Sequence, residues 1–307
     1  MIKNLFFVLL IFAGFQLLSS CGGCSDRSGQ QDDDQLMLPD SLISSDAPLK
    51  LSEEIMNEVI GNVSSPVEMA NMFKRSGVEF SQRIMNDPDN ANSYQTSFKR
   101  ALNLGVYSAD LGYINTFDKN NIVVGYLMAI QTLAEGIRVG QFFDFNALRR
   151  MASGSTNLDS LMQMSISSFN EMDNYLRDQN RSNVSSLIVT GTWIEGLYIA
   201  ANVYEQTGDE NIAHSIAEQK NVINILEIIL DNYSSEPNFA ELVEDIRELK
   251  EVYSNVSITT QLGEPETIEQ DGRLIFVQDE ISIVDYTPED MDNIVATIKR
   301  IRNKIVE

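Results

Sequence analysis

With 307 residues, 43% of them hydrophobic, the chain can build one large core or two modest ones. Its formal charge of −23 gives a surface that repels nucleic acid and anionic lipid headgroups. Two cysteines and a single histidine exclude a disulfide-rich scaffold and a histidine-rich zinc site. Plain solubility is the preferred reason for the acidity, ahead of an acidic binding face.

The chain opens with Lys3 and an apolar run from Leu5 to Leu18, ending Leu18-Ser19-Ser20-Cys21. The run is shorter than the roughly 20 residues a transmembrane helix needs. It suits the apolar part of a cleaved signal, with small residues before the cleavage point. The order resembles a bacterial lipoprotein signal, which implies that Cys21 receives the lipid. Cys24 follows Gly22 and Gly23, with no apolar residue just ahead of it, and is the poorer site. With Cys21 acylated, Cys24 has no cysteine left to pair with in the chain.

Residues 21–49 then read as the lipidated cysteine and a disordered tether. Gly, Ser, Gln and Asp dominate, Asp32-Asp33-Asp34 is an acidic run, and nothing is periodic. A flexible linker of this length reaches about 30 Å on average. The acidic run is equally readable as a sorting signal.

Helical patterning begins at Ser52. Ser65-Pro66-Val67-Glu68 has the form of a helix start, with a capping residue, proline at the first position and a glutamate to close a capping box. Asp87-Pro88-Asp89 interrupts the pattern. A long helix is predicted from Ala91 to Phe117, with Leu102, Val106, Ala109, Tyr113 and Phe117 on one stripe. Gly105 and Gly112 share a face there, which points to a close helix crossing, since glycine inside a helix costs roughly 1 kcal/mol against alanine. The next helix, Asn121 to Val139, is apolar on nearly every side and is predicted to be the buried centre of a bundle. Its Gly125 and Gly136 are the expected partners in the crossing.

A short helix is predicted over Phe145 to Ala152. Thr156-Asn157-Leu158-Asp159 resembles the cap of another. A third runs from Ser182 to Gln206, with Leu187, Gly191, Ile194, Leu197, Tyr198, Ala201 and Tyr204 inside. Gly208-Asp209 turns the chain into a helix bearing Ile212, Ile216, Ile223, Leu226 and Leu230. Through Ala201, Tyr204, the Gly208-Asp209 turn, Ala213 and Ala217, this pair is similar to one tetratricopeptide (TPR) hairpin. It departs at Lys220, and no second copy is present. Pro237 starts a further helix with Phe239, Leu242, Ile246, Leu249 and Tyr253. From Asn255 the pattern becomes strand-like. Ser257-Ile258-Thr259-Thr260 alternates, Asp271-Gly272 is a two-residue hairpin turn between Thr267-Ile268-Glu269 and Arg273 to Val277, and Ile281 to Asp285 reads as a third strand. Thr287-Pro288-Glu289-Asp290 caps a last helix striped by Met291, Ile294, Ile298, Ile301 and Ile305.

The expected fold is mostly α: an antiparallel helical bundle or array of helical hairpins, with a small β-hairpin appendage and a C-terminal helix. Its expected segments are 1–20 (signal), 21–49 (tether), 50–255 (helical domain) and 256–307 (hairpin and last helix). Four stretches carry a likeness to a group of uncharacterised all-helical envelope lipoproteins of Gram-negative bacteria. They are Ser65-Pro66-Val67-Glu68, Ala101 to Tyr113, Thr192-Trp193-Ile194-Glu195-Gly196-Leu197-Tyr198, and the Asp271-Gly272 hairpin. The resemblance implies helices and lipidation, with the outer membrane as the expected location, and implies no activity.

The chemistry left to the sequence is carboxylates beside aromatics. Asp110 lies between Tyr107 and Tyr113, and Glu195 between Trp193 and Tyr198. One reading makes these six residues a polar pocket, for instance for a sugar, or gives a carboxyl a raised pKa for acid catalysis. The plainer reading, preferred here, is that each carboxyl hydrogen-bonds inside the core. His214, among Glu210, Asn211 and Glu218, reads as a surface residue. Asp87 and Asp89 lack the later residues of a calcium loop. No metal or cofactor is expected. Two functions stay open: a lipid-anchored scaffold or binding module for an envelope protein or glycan, and a glycan hydrolase using Asp110 and Glu195 in one cleft. The hydrolase needs the two carboxylates roughly 5 to 10 Å apart.

Overall fold

The computed structural model describes residues 66–152, 158–262, 266–270, 273–277 and 280–307. The lipoprotein-like signal, Cys21, the tether, the helix expected from Ser52, the Ser65 and Thr156 caps and the Asp271-Gly272 turn lie outside them. Among the described residues the chain is mostly helical, with ten α-helices and four short strands.

Helix α1 (Pro66–Ser76) begins at the proline, as the sequence pattern expects. Two 3-10 turns follow, Gln82–Ile84 and Pro88–Ser93. Helix α2 (Ser97–Thr116) therefore starts six residues later than the periodicity predicts. Asp87 accepts from the amide of Asp89 and starts the second 3-10 turn, and Thr96 caps α2 by accepting from the amide of Lys99. Asp118, at φ 54°, makes the turn into α3 (Asn120–Gly136). Helices α4 (Phe145–Ala152), α5 (Leu158–Asp178) and α6 (Ser182–Thr207) follow. Gly208, in the left-handed region at φ 63°, ends α6, a position where a side chain would be strained.

The single helix expected after Gly208 is in fact two, α7 (Glu210–Ala217) and α8 (Lys220–Asp231). The break falls where Gln219 turns inward to accept from Trp193 Nε1 at 3.0 Å. Lys220, the departure from the TPR pattern, uses its ammonium to bond the carbonyls of Ser254 and Val256. Helix α9 (Pro237–Val252) packs antiparallel beside α8 and precedes the strands. Strands β1 (Ser257–Leu262) and β4 (Glu280–Asp285) pair antiparallel, and β2 (Glu266–Gln270) and β3 (Arg273–Val277) pair inside them. The stretch expected as a third strand is thus the partner of the first. Helix α10 (Pro288–Val306) begins with a complete capping box between Thr287 and Asp290, and its five expected stripe residues are buried.

The centre of the domain is the pairing of α2 with α6, which corrects the expectation for the helix at Asn121 to Val139. Residues 101 to 107 of α2 are buried without a break, and α6 is buried on most of its circumference. Helix α3 instead leaves Val124 46% and Met128 56% exposed one turn apart. Composition could not distinguish a helix buried all round from one with an apolar outer stripe. Helix α6 is also long and apolar enough to cross a membrane, yet 78% of its most apolar window is buried inside the domain, as in the core helix of a globular protein.

Gly105 is a contact point, but its partner is Gly191 of α6. A Cβ on Gly105 would overlap the carbonyl oxygen of Ile188 and lie 2.6 Å from the amide nitrogen of Thr192. A Cβ on Gly191 would overlap the carbonyl oxygen of Leu102. The two backbones touch, and only glycine permits it. Gly112 has nothing within 4 Å of such a methyl, Gly125 meets only Pro88 at 3.6 Å, and Gly136 faces the side chain of Arg100.

The two α2 glycines should respond oppositely to alanine. Gly112→Ala gains helix propensity of about 1 kcal/mol with no clash. Gly105→Ala gains the same but must separate two helix backbones, typically a cost of roughly 1 to 3 kcal/mol, and overlap with a carbonyl puts it at or above the upper end. Urea denaturation should show Gly112→Ala at or above the parent in stability and Gly105→Ala below it. Equal stabilities would refute the crossing.

Candidate functional site: a sealed carboxyl and guanidinium cluster

Asp110 lies five residues beyond Gly105 on α2, and Glu195 four beyond Gly191 on α6. Once the glycines let the helices touch, the two carboxyls meet about one turn further on. Both are 0% exposed. Arg302 of α10, 6% exposed, closes on them. Its Nε donates to Glu195 Oε2 at 2.8 Å and its Nη2 to Oε1 at 2.9 Å, a bidentate pair. Nη2 also reaches the Ile84 carbonyl at 3.4 Å, and the guanidinium lies 4.3 Å from the ring centre of Tyr198.

Asp110 accepts from the backbone amide of Asn86 at 3.1 Å through Oδ2. Counted as a carboxylate, it leaves Oδ1 without a partner. Burial, then the charge of Glu195, raise its pKa well above the usual carboxylate range, with the Glu195 carboxyl as a hydrogen-bond partner. The neutral, protonated form of Asp110 is thereby favoured beside Glu195. Burial also pushes Glu195 upward, while Arg302 and the bond from Asp110 pull it back toward the ionised form. One proton, two carboxyls and one guanidinium make the cluster neutral, the only inexpensive arrangement for such groups out of water. Burial opposes the charge on Arg302, but its bonds to Glu195 prevail and raise its pKa.

A neutral network surrounds the cluster. Asn86 donates from Nδ2 to Tyr94 Oη at 2.9 Å and Asn103 Oδ1 at 3.3 Å. Tyr94 donates to the Val306 carbonyl at 2.9 Å, and Asn103 to that of Ile305 at 3.1 Å. These bonds satisfy carbonyls at the end of α10 that the helix cannot satisfy itself. Tyr107 donates to the Asp87 carbonyl at 2.7 Å, and its own pKa is raised, chiefly by burial. Its ring meets Tyr126 edge to face at 6.1 Å.

Of the six residues singled out by sequence, four converge here: Tyr107, Asp110, Glu195 and Tyr198. Tyr113 instead sits between Phe80 and Phe117, accepting from the Ser81 amide at 3.2 Å. Trp193 is buried on another side of α6 against Gln219. His214 is part-exposed, 3.6 Å from Glu218, as a surface residue would be. Sequence reasoning passed over Arg302, Asn86, Asn103 and Tyr94. Arg302 had a signal: it lies four residues after Ile298 and three before Ile305, on the apolar stripe. Asn103 had one too, between Leu102 and Leu104 and two turns before Asp110. Asn86 and Tyr94 lie in irregular chain, where no period marks them.

Both carboxyls are out of solvent and within hydrogen-bond reach of one another. A glycosidic bond and its water need them roughly 5 to 10 Å apart on an open cleft. An open depression of about 630 Å³ lies elsewhere, among Asn255, Ser257, Asp285, Glu289 and Asn293.

Removing one member of the ion pair leaves the other charged and buried, at a cost of about 3 to 5 kcal/mol. Glu195→Gln and Arg302→Met should each lose that much by chemical denaturation. The combined Glu195→Leu, Arg302→Met variant should recover part of it, because an apolar pair needs no compensation. Additive losses would refute the direct coupling. Asp110 gives a pH test. Between about pH 4, where an unfolded aspartate loses its proton, and its raised folded value, only the folded chain keeps that proton. Its contribution is full at acid pH and falls as pH rises through this window. Asp110→Asn cannot ionise, so its melting temperature relative to the parent should climb from pH 5 to pH 8. Parallel curves would refute the shared proton.

Comparisons with protein-family models, with curated proteins and with solved structures find no match to this chain. The cluster is accordingly read from its own chemistry.

Proposed function

We propose that this protein is a lipid-anchored component of the bacterial cell envelope, at the outer membrane, acting as a helical scaffold or binding module. The observation that carries the anchor is the ending Leu18-Ser19-Ser20-Cys21 on a short apolar run behind Lys3. Acyl chains on Cys21 would supply the membrane attachment, because a chain of net charge −23 has no electrostatic attraction for anionic lipid. The sealed cluster supports the scaffold reading over the hydrolase one: Asp110 and Glu195 are spent on joining α2, α6 and α10. An envelope protein or glycan is the proposed partner.

The test is Cys21→Ser followed by detergent phase partition. The parent should be processed and enter the detergent phase. The variant should remain unprocessed or appear in the aqueous phase. A processed variant that stays with the membrane would remove the anchor.

A further inference from the structure

The depression of about 630 Å³ lies where three elements meet, and its lining residues are among the described ones. Asn255 lies in the turn after α9, Ser257 and Asp285 pair in register at the base of the ribbon, and Glu289 and Asn293 stand one turn apart at the start of α10. Tyr286 lines it as well, partly buried and packed against the core. The volume is ordinary for a small-molecule site, roughly 300 to 1,000 Å³.

The wall is held in place by the chain itself. Asn255 donates to Asp290 Oδ1 at 2.9 Å, and Asp290 Oδ2 closes the capping box with Thr287. Lys220 bonds the carbonyls of Ser254 and Val256, on either side of Asn255. The end of α10 is thus already capped, so recognition falls to side chains. Those of Ser257, Asp285, Glu289 and Asn293 are exposed and have no hydrogen-bond or ion-pair partner among the described residues. By contrast, Glu241, Asp245 and Glu248 of α9 are paired with Arg300 and Lys304.

The described lining holds no base and no aliphatic side chain. Without a base it offers nothing to a phosphate or a carboxylate, and without aliphatic groups it suits no acyl chain. It presents carboxylates, which only accept hydrogen bonds, beside carboxamides and hydroxyls, which donate and accept. A ligand that satisfies both carries many O–H groups. The tyrosine ring adds one apolar surface, which a sugar ring matches with the C–H bonds of its face.

We propose that this depression binds a neutral saccharide about the size of a disaccharide. Asp285 and Glu289 accept from its hydroxyls, Asn293 bonds in both directions, and Tyr286 lies against a ring face. The inference rests on the glycan form of the binding-module reading and names the ligand class.

The test uses the full chain in micelles of a detergent without a sugar headgroup. Maltose, cellobiose, lactose and N,N′-diacetylchitobiose are the neutral probes, and digalacturonic acid is the anionic control. Saturation-transfer NMR should show at least one neutral probe bound, with digalacturonic acid at least tenfold weaker. The paired change Asp285→Ala and Asn293→Ala, at two exposed positions, should weaken the bound probe at least tenfold with the melting temperature unchanged. Tyr286→Leu should weaken it similarly, whereas Tyr286→Phe, which keeps the ring, should bind as the parent does. Absence of binding by every neutral probe, binding untouched by the paired change, or equal binding of digalacturonic acid would overturn the proposal. So would calcium chloride binding that the paired change abolishes while no saccharide binds, which would make this a cation site. Failure here leaves an envelope protein as the proposed partner and does not bear on the Cys21→Ser result, so the two readings fail separately.

Discussion

Two helix backbones in contact are the constraint on which the domain depends. Where Gly105 of α2 meets Gly191 of α6, the side-chain layer that normally separates helices is missing. The residues on the contacting faces are buried with it, including two carboxyls that no solvent reaches. Such groups cannot both stay ionised in so small a space. The crossing therefore raises the pKa of Asp110 and calls for a cation from elsewhere in the chain. Arg302 supplies the cation, which fixes the position of α10 against α2 and α6.

The same polar centre organises irregular chain. The segment from Ser81 to Tyr94 has only short 3-10 turns and cannot satisfy its backbone by itself. It is held by single bonds to well-placed side chains: the Asn86 amide to Asp110, the Asp87 carbonyl to Tyr107, the Ile84 carbonyl to Arg302. Apolar packing alone would leave such a segment free to slide, because it lacks direction. Hydrogen bonds to buried partners have direction, and here they set the register of the segment. The surface pairs between α8 and α9, such as Arg247 with Glu227 and Asp231, lie in water and contribute much less.

Much of the fold was legible because helices announce themselves by period and by their ends. Pro66, Gly208, Pro237 and the Thr287 capping box mark boundaries that the structure keeps. The partners of those helices were not legible. A stripe records that a face is buried, not what buries it, so Gly105 was recognisable as a crossing point while Gly191 was not recognisable as its mate. The apolar surround of α3 suggested the centre, yet its outer stripe of Val124 and Met128 faces away from the core. The site was half visible for a similar reason. Asp110 and Glu195 stood out as acids in apolar helices. Arg302 sat among Lys299, Arg300 and Lys304, where a fourth base looks like one more solvated charge. The break at Gln219 depends on Trp193 of another helix, a contact that local pattern cannot encode.

The ion pair between Glu195 and Arg302 spans 107 residues, and the bond from Tyr94 to Val306 spans 212. A chain synthesised only as far as α9 thus contains both carboxyls and the glycine crossing but lacks the guanidinium that neutralises them. Closing the crossing at that stage would strand negative charge in an apolar interior. The polar centre of the domain is thus complete only when the last helix is in place.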